Sequence, residues 1–159
     1  MNNGFQLVIP KFPHVQFFAN SFVFPSISLA SNRIENPYLR INVPGEKMEY
    51  DPISVTFIVD EDLRNYEEVY KWMSSLSFDT DNHKFTTYEG RNEGQELGQQ
   101  DIKVMMLTNK GNVNKIITFN DAIPTSLSGF SMTQQDPTTN YVMATVTFEY
   151  TNFIIQSNT

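Results

Sequence analysis

Apolar and polar residues alternate along 53–59, with Ile53, Val55, Phe57 and Val59 on one side and Ser54, Thr56 and Ile58 on the other. This is the period of a strand with one face in a core. The period then changes. Leu63, Tyr66, Val69, Tyr70, Met73 and Leu76 recur at three- and four-residue spacing, with Trp72 beside the stripe, and predict an amphipathic helix, the one helix in the chain. Asp60-Glu61-Asp62 supplies capping oxygens and negative charge for its N terminus. Glu67 and Lys71 stand one turn apart, placed for an ion pair.

Elsewhere the pattern is that of strands punctuated by Pro, Gly and Asn. Residues 5–9 and 14–19 read as two strands separated by Pro10-Lys11-Phe12-Pro13, whose prolines cannot donate to a ladder. Residues 30–37 are polar and irregular, and 38–43 is extended again up to Pro44-Gly45, which fits a type II turn with glycine at positive φ. With Lys47–Tyr50 as the return arm, the product is a β-ribbon projecting from the body. Ser77–Gln100 reads as a long Gly-punctuated loop with one short strand at 84–88. Two further strands, 101–107 and 115–120, are joined by an Asn109-Lys110-Gly111-Asn112 hairpin turn, and 141–153 is the last and longest strand. No repeat or linker divides residues 1–159, so the expected architecture is one domain, mainly β with one α-helix: a small antiparallel β-barrel or sandwich with a projecting β-ribbon.

Length and charge narrow the function classes. A chain of 159 residues buries about two-thirds of its unfolded surface on folding. It has no cysteine, which excludes disulfides and thiolate metal sites and fits a reducing compartment, with cytoplasmic synthesis as the default. The start lacks a positive n-region and its apolar run ends at Pro10, unlike a secretion signal. No apolar run approaches the roughly 18 residues of a membrane-spanning helix, so no membrane insertion is expected. The net charge is −7, and the Lys and Arg residues are spread along the chain, which argues against a nucleic-acid-binding groove.

Candidate chemistry fails on detail. Asp79-Thr80-Asp81-Asn82-His83 begins like a calcium loop, but Lys84 stands where glycine is needed and Gly90 where a bidentate Glu belongs. Gly90, Gly94 and Gly98 lack the Lys-Ser/Thr ending of a phosphate loop. His14 and His83 have no metal-ligand spacing with a second strong donor, and no G-x-S-x-G elbow is present. Of the densest carboxylates, Glu61 and Asp62 are better explained as helix caps, and Glu67 and Glu68 as a solvated helix face. The expectation is no enzyme, no metal and no cofactor.

The chain resembles the tail tube proteins of contractile-tailed bacteriophages, related in fold to the tubes of type VI secretion systems and phage-derived injection machines. The resemblance rests on the opening FQLVIP, FPSISL at 24–29, the block INVPGEKMEYDPISVTFIVDEDLRNYEEVYKWM at 41–73, and the closing pattern from Phe119 to Tyr150 with Ile123-Pro124-Thr125-Ser126-Leu127-Ser128-Gly129-Phe130. It implies a structural virion protein of the tail, assembled in the host cytoplasm as hexameric rings that stack into a tube, with sheath and baseplate or tube-initiator proteins as partners. DNA would transit a lumen that is usually acidic in such tubes, without specific binding. The alternatives are a baseplate initiator or neck adaptor ring on the same fold, or a monomeric β-barrel binding module. The resemblance also assigns the inter-subunit ribbon to Tyr38, Arg40, Asn42, Pro44, Gly45, Glu46, Lys47, Met48, Glu49 and Tyr50. Physics adds its own reason for assembly, since closing a ring of identical sheets removes exposed edges.

Overall fold

The computed structural model describes residues 4–10, 12–76, 98–132 and 141–157. The expected calcium-like loop, His83, Gly90, Gly94 and the strand at 84–88 lie outside these residues.

The described elements are β1 (Phe5–Val8), α1 (Pro13–Phe17), β2 (Ala19–Val23), β3 (Ile27–Asn36), β4 (Leu39–Tyr50), β5 (Ile53–Ile58), α2 (Arg64–Leu76), β6 (Gln100–Leu107), β7 (Val113–Leu127), β8 (Met143–Glu149) and β9 (Asn152–Ser157). Seven strands form an antiparallel sheet in the order β1-β6-β7-β8-β5-β2, with β9 also on β7, while β3 and β4 form a separate two-stranded sheet. The mainly β architecture with a ribbon matches the expectation.

The long strand β7 folds the large sheet into two layers. It pairs with β9 as far as Asn120 and with β6 as far as Ala122, and from Ile123 with β8. Against β6, Asn120 and Asp121 bulge opposite Asp101, between the Ile102–Phe119 and Gln100–Ala122 pairs. Asp121 takes a left-handed φ of 56°, and its backbone N–H donates to Asp101 Oδ1 at 3.2 Å. Aspartate tolerates this conformation better than most residues, and such a bulge bends its strand. Leu7, Ile102, Val104, Ile117 and Phe119 from one layer meet Ile53, Val55, Phe57, Val146 and Phe148 from the other in the core, which α1 and α2 close with Phe12, Val15, Val69 and Trp72. The end strands β1 and β2 approach through the rings of Phe5 and Phe22, 6.2 Å apart.

Several expected elements are corrected. Residues 14–19 are not a strand: Pro13–Phe17 is a second helix of five residues with proline at its start, where a fixed φ and a missing N–H cost nothing. Less than two turns is too short to display a 3.6-residue period. Residues 30–37 are not irregular but belong mostly to β3. The expected strand at 115–120 is the middle of a 15-residue one, the longest described. The predicted final strand is two, because the inward phase shifts from Phe148 and Tyr150 to Phe153 as the chain crosses between layers.

In α2 the buried line is Asn65, Val69 and Trp72, flanked by Tyr66, Met73 and Leu76. Leu63 and Tyr70 are exposed, so the helix is rotated from the stripe read in the sequence. Asn65 explains the rotation. Its Oδ1 accepts from the N–H groups of Asp60 (3.2 Å) and Tyr66 (2.8 Å), and its Nδ2 donates to the Ile58 carbonyl (2.6 Å). Asn65, rather than Asp60, Glu61 or Asp62, therefore organises the helix entry, and Asp62 instead pairs with Arg64 at 3.0 Å.

Candidate functional site: an uncovered ribbon

The β3–β4 hairpin closes through Pro37-Tyr38, with Asn36 opposite Leu39. The turn is therefore not at Pro44-Gly45, which lies within β4. There the register slips: Leu29 faces Met48, but Ser31 already faces Pro44, so Ala30 stands against Gly45-Glu46-Lys47. A Cβ on Gly45 would lie 2.3 Å from the Ala30 carbonyl oxygen. Glycine is required here for close backbone approach, not for positive φ.

Strand alternation sorts the outer half of the ribbon into two faces. Ile34, Leu39, Ile41 and Val43 share one, with Asn32, and Arg33, Glu35, Arg40 and Asn42 the other. The apolar face is uncovered: Ile34 is 55 %, Leu39 63 % and Ile41 46 % exposed, and Tyr38 at the tip is 93 % exposed. Nearer the body, Ile27, Leu29 and Met48 are also exposed. A two-stranded ribbon is marginal in water on its own, and this one places a row of apolar side chains in solvent.

The root of the ribbon is held by aromatics. Tyr50 lies edge-on to Phe153 at 5.7 Å and 6.0 Å from Tyr150. The Tyr150 hydroxyl donates to the Asp51 carbonyl at 3.0 Å, and the Asp51 N–H to the Ser26 carbonyl at 3.1 Å. Burial, with Tyr50 and Asp51 nearby, pushes the Tyr150 phenol up to about 12. The predicted ribbon residues from Tyr38 to Tyr50 are thus on one hairpin arm plus its tip. The reading missed the other arm, Ile27–Asn36, because Ser, Asn, Arg and Glu there mask its alternation.

The acid–base residues do not converge on a reaction centre. His14 pairs with Glu68 across α1 and α2, a contact between residues too distant in sequence for any spacing rule to reveal. Glu67 pairs with Lys71 at 2.8 Å, as the helical spacing predicts. Among the described residues, no group of three or more His, Asp or Glu side chains is placed to hold a metal, and no helix is long and apolar enough to cross a membrane. A pocket of about 450 Å³ beside β1 and β2 is lined by apolar and amide side chains such as Phe5, Phe22, Phe24, Met106 and Asn114, with no acid or base.

Among the described residues, one feature left uncovered on the β-sandwich is the β3–β4 ribbon. The chain belongs to the phage tail tube protein family, whose model matches residues 6–156. It is therefore a structural component of the phage tail, not an enzyme. It is 28 % identical over 144 residues to the tail tube terminator protein of Enterobacteria phage T4, covering 88 % of this chain and 77 % of that protein. Its fold is similar to that of the anti-feeding prophage cap, a tube-terminating cap, with TM-score 0.70, 14 % identity and coverage of 99 % and 90 % of the two chains. The fold also matches a chain of the sheath–tube complex of the PVC extracellular contractile injection system in its extended state, with TM-score 0.71, 15 % identity and the same coverages.

Proposed function

We propose that this chain, acting as one unit over its whole length, forms a hexameric ring that ends a phage tail tube and leaves an axial channel for DNA. The carrying observation is the ribbon: two strands of 10 and 12 residues with an apolar face that no other part of the described chain covers. A neighbouring copy is the cover, so Tyr38 through Tyr50 and their partner arm become the inter-subunit contact. Similarity to the phage T4 terminator favours a terminating ring, and a repeating tube subunit is the second reading, supported by the family match itself. In either case the ring meets tube subunits on one side, and sheath or baseplate proteins are the further expected partners.

Negative-stain electron microscopy of the purified full chain over a concentration series tests this. Discrete rings that do not lengthen as concentration rises are the expected result. Tubes that grow with concentration would establish the repeating-subunit reading instead, and a monomer at every concentration would contradict both.

A further inference from the structure

We infer that one end of the sandwich core is an open socket, and that it takes Tyr38, the ribbon tip, from the neighbouring copy in the ring. The inference rests on the ring reading above and adds the receiving site to it. Among the described residues the core is covered at one end only. Along β1 and β6 the inward-facing positions pair Leu7 with Val104 and Phe5 with Met106. Leu7 and Val104 are fully buried, but Met106 is 46 % exposed, and Phe24, just past the end of β2, is 47 % exposed. In the other direction the β1 line runs through Ile9 to Phe12, where α1 and α2 cover it and Phe12 stacks on Trp72. At the uncovered end Phe5, Phe22, Phe24 and Met106 line the pocket of about 450 Å³. Its rim is polar, with Thr108 and Asn114. Asn114 is the extra residue where β7 bulges against β6, between the Met106–Lys115 and Leu107–Val113 pairs. The adjoining turn is braced by the Thr108 N–H donating to the Asn112 carbonyl at 2.8 Å and the Gly111 N–H to the Thr108 carbonyl at 2.9 Å, so the mouth is preformed.

Tyr38 has the chemistry this socket asks for. It is 93 % exposed, and a tyrosine gains from burying its ring only where its hydroxyl also meets a partner. The aromatic and thioether wall takes the ring, and the hydroxyl and amide at the rim meet the phenol. A cavity of roughly 150 Å³ already holds a benzene ring, so the pocket has room for the tyrosine together with part of Leu39. Charge agrees as well: no acid or base lines the pocket, and Pro37-Tyr38-Leu39 carries none, so insertion strips water from no ion. Reach decides whose tip enters. The Phe24 wall lies beside the root of the ribbon, edge-on to Phe153 at 5.7 Å, and Tyr50 packs on the same ring at 5.7 Å. From that root the ten residues of β3 carry the tip about 33 Å away at about 3.3 Å per residue. A tip held that far out does not enter the socket of its own chain. Each copy therefore gives one tip and receives one, a heterologous contact of the kind that closes into a ring.

Because the chain has no cysteine, introduced thiols report on this contact alone. Pro37→Cys combined with Asn114→Cys marks tip and rim while leaving Tyr38 in place. Treating preformed rings of this double variant with a short thiol-to-thiol cross-linker should give a ladder of chain multiples on a denaturing gel. Rings mixed from the two single variants should give dimers and nothing larger, and Pro37→Cys combined with Lys71→Cys on α2 should give no ladder. In the cysteine-free chain, Tyr38→Ala should raise the ring dissociation constant about thirtyfold or more, the loss of a buried aromatic anchor. Tyr38→Phe, which lacks only the hydrogen bond, should raise it by no more than about tenfold. Intact double-variant rings without a ladder, or a ladder from the Lys71 pair instead, would overturn the inference and leave the ring reading standing. If the double variant forms no rings, Tyr38→Ala decides by itself, and wild-type affinity there overturns the inference in every case. Absence of wild-type rings would refute the ring reading itself, and this inference with it.

Discussion

Trp72 closes the core with its whole side chain, 1 % exposed, stacked on Phe12 with ring centroids 4.7 Å apart and donating its indole N–H to the Gly98 carbonyl at 3.0 Å. Trp72→Ala should therefore lower stability by about 3–5 kcal/mol in urea unfolding; a loss below about 1 kcal/mol would mean the indole is not a core group. From the sequence Trp72 stands only beside the helical stripe, because Asn65 occupies a core position that hydrophobicity cannot mark. Tyr150 carries a second residue-scale expectation. Its folded pKa is raised to about 12 from 10.0, so the fold favours the neutral phenol. The resulting stabilisation is complete below about pH 10 and is lost as pH rises towards 12. Wild type should thus lose its stability advantage over Tyr150→Phe across that window. A difference between the two that stays constant from pH 9 to 12 would contradict the assignment.

At the scale of elements, the sequence reveals what repeats and hides what bends. The alternation of β5 and the Asn109–Asn112 turn between β6 and β7 are legible because each is a local pattern. The crossing of β7 at Asp121 and the break between β8 and β9 are not, since a bulge shifts the phase of burial by one residue without leaving a glycine or proline as a mark. Pro44-Gly45 shows the reverse error, a strong turn signal spent on a bulge inside a strand. That bulge gives a direct test of the ribbon. In Gly45→Ala the new Cβ collides with the Ala30 carbonyl, so β3 and β4 must separate there. The expected result is an unchanged circular dichroism spectrum of the sandwich and a ring dissociation constant raised by at least about tenfold, equivalent to roughly 1.4 kcal/mol. Unaltered assembly would show that the bulge does not shape the contact.

The whole molecule separates its surfaces by chemistry. The ribbon presents apolar side chains, α2 and the turn before it carry Glu61, Asp62, Glu67 and Glu68, the layer of β6 and early β7 carries lysines, and the β5–β8 face carries hydroxyls. Family membership was legible from the order of several weak motifs, whereas the distribution of charge among faces was not, because it depends on which strands the fold makes neighbours. The central claim is that the ribbon makes the ring, and mass photometry of wild type beside a chain whose residues 32–43 are replaced by a short turn tests it most directly. Wild type should appear at a discrete multiple of the monomer mass, and the shortened chain, still folded, at the monomer mass alone. A wild-type monomer, or a shortened chain that still assembles to the same mass, would contradict the account.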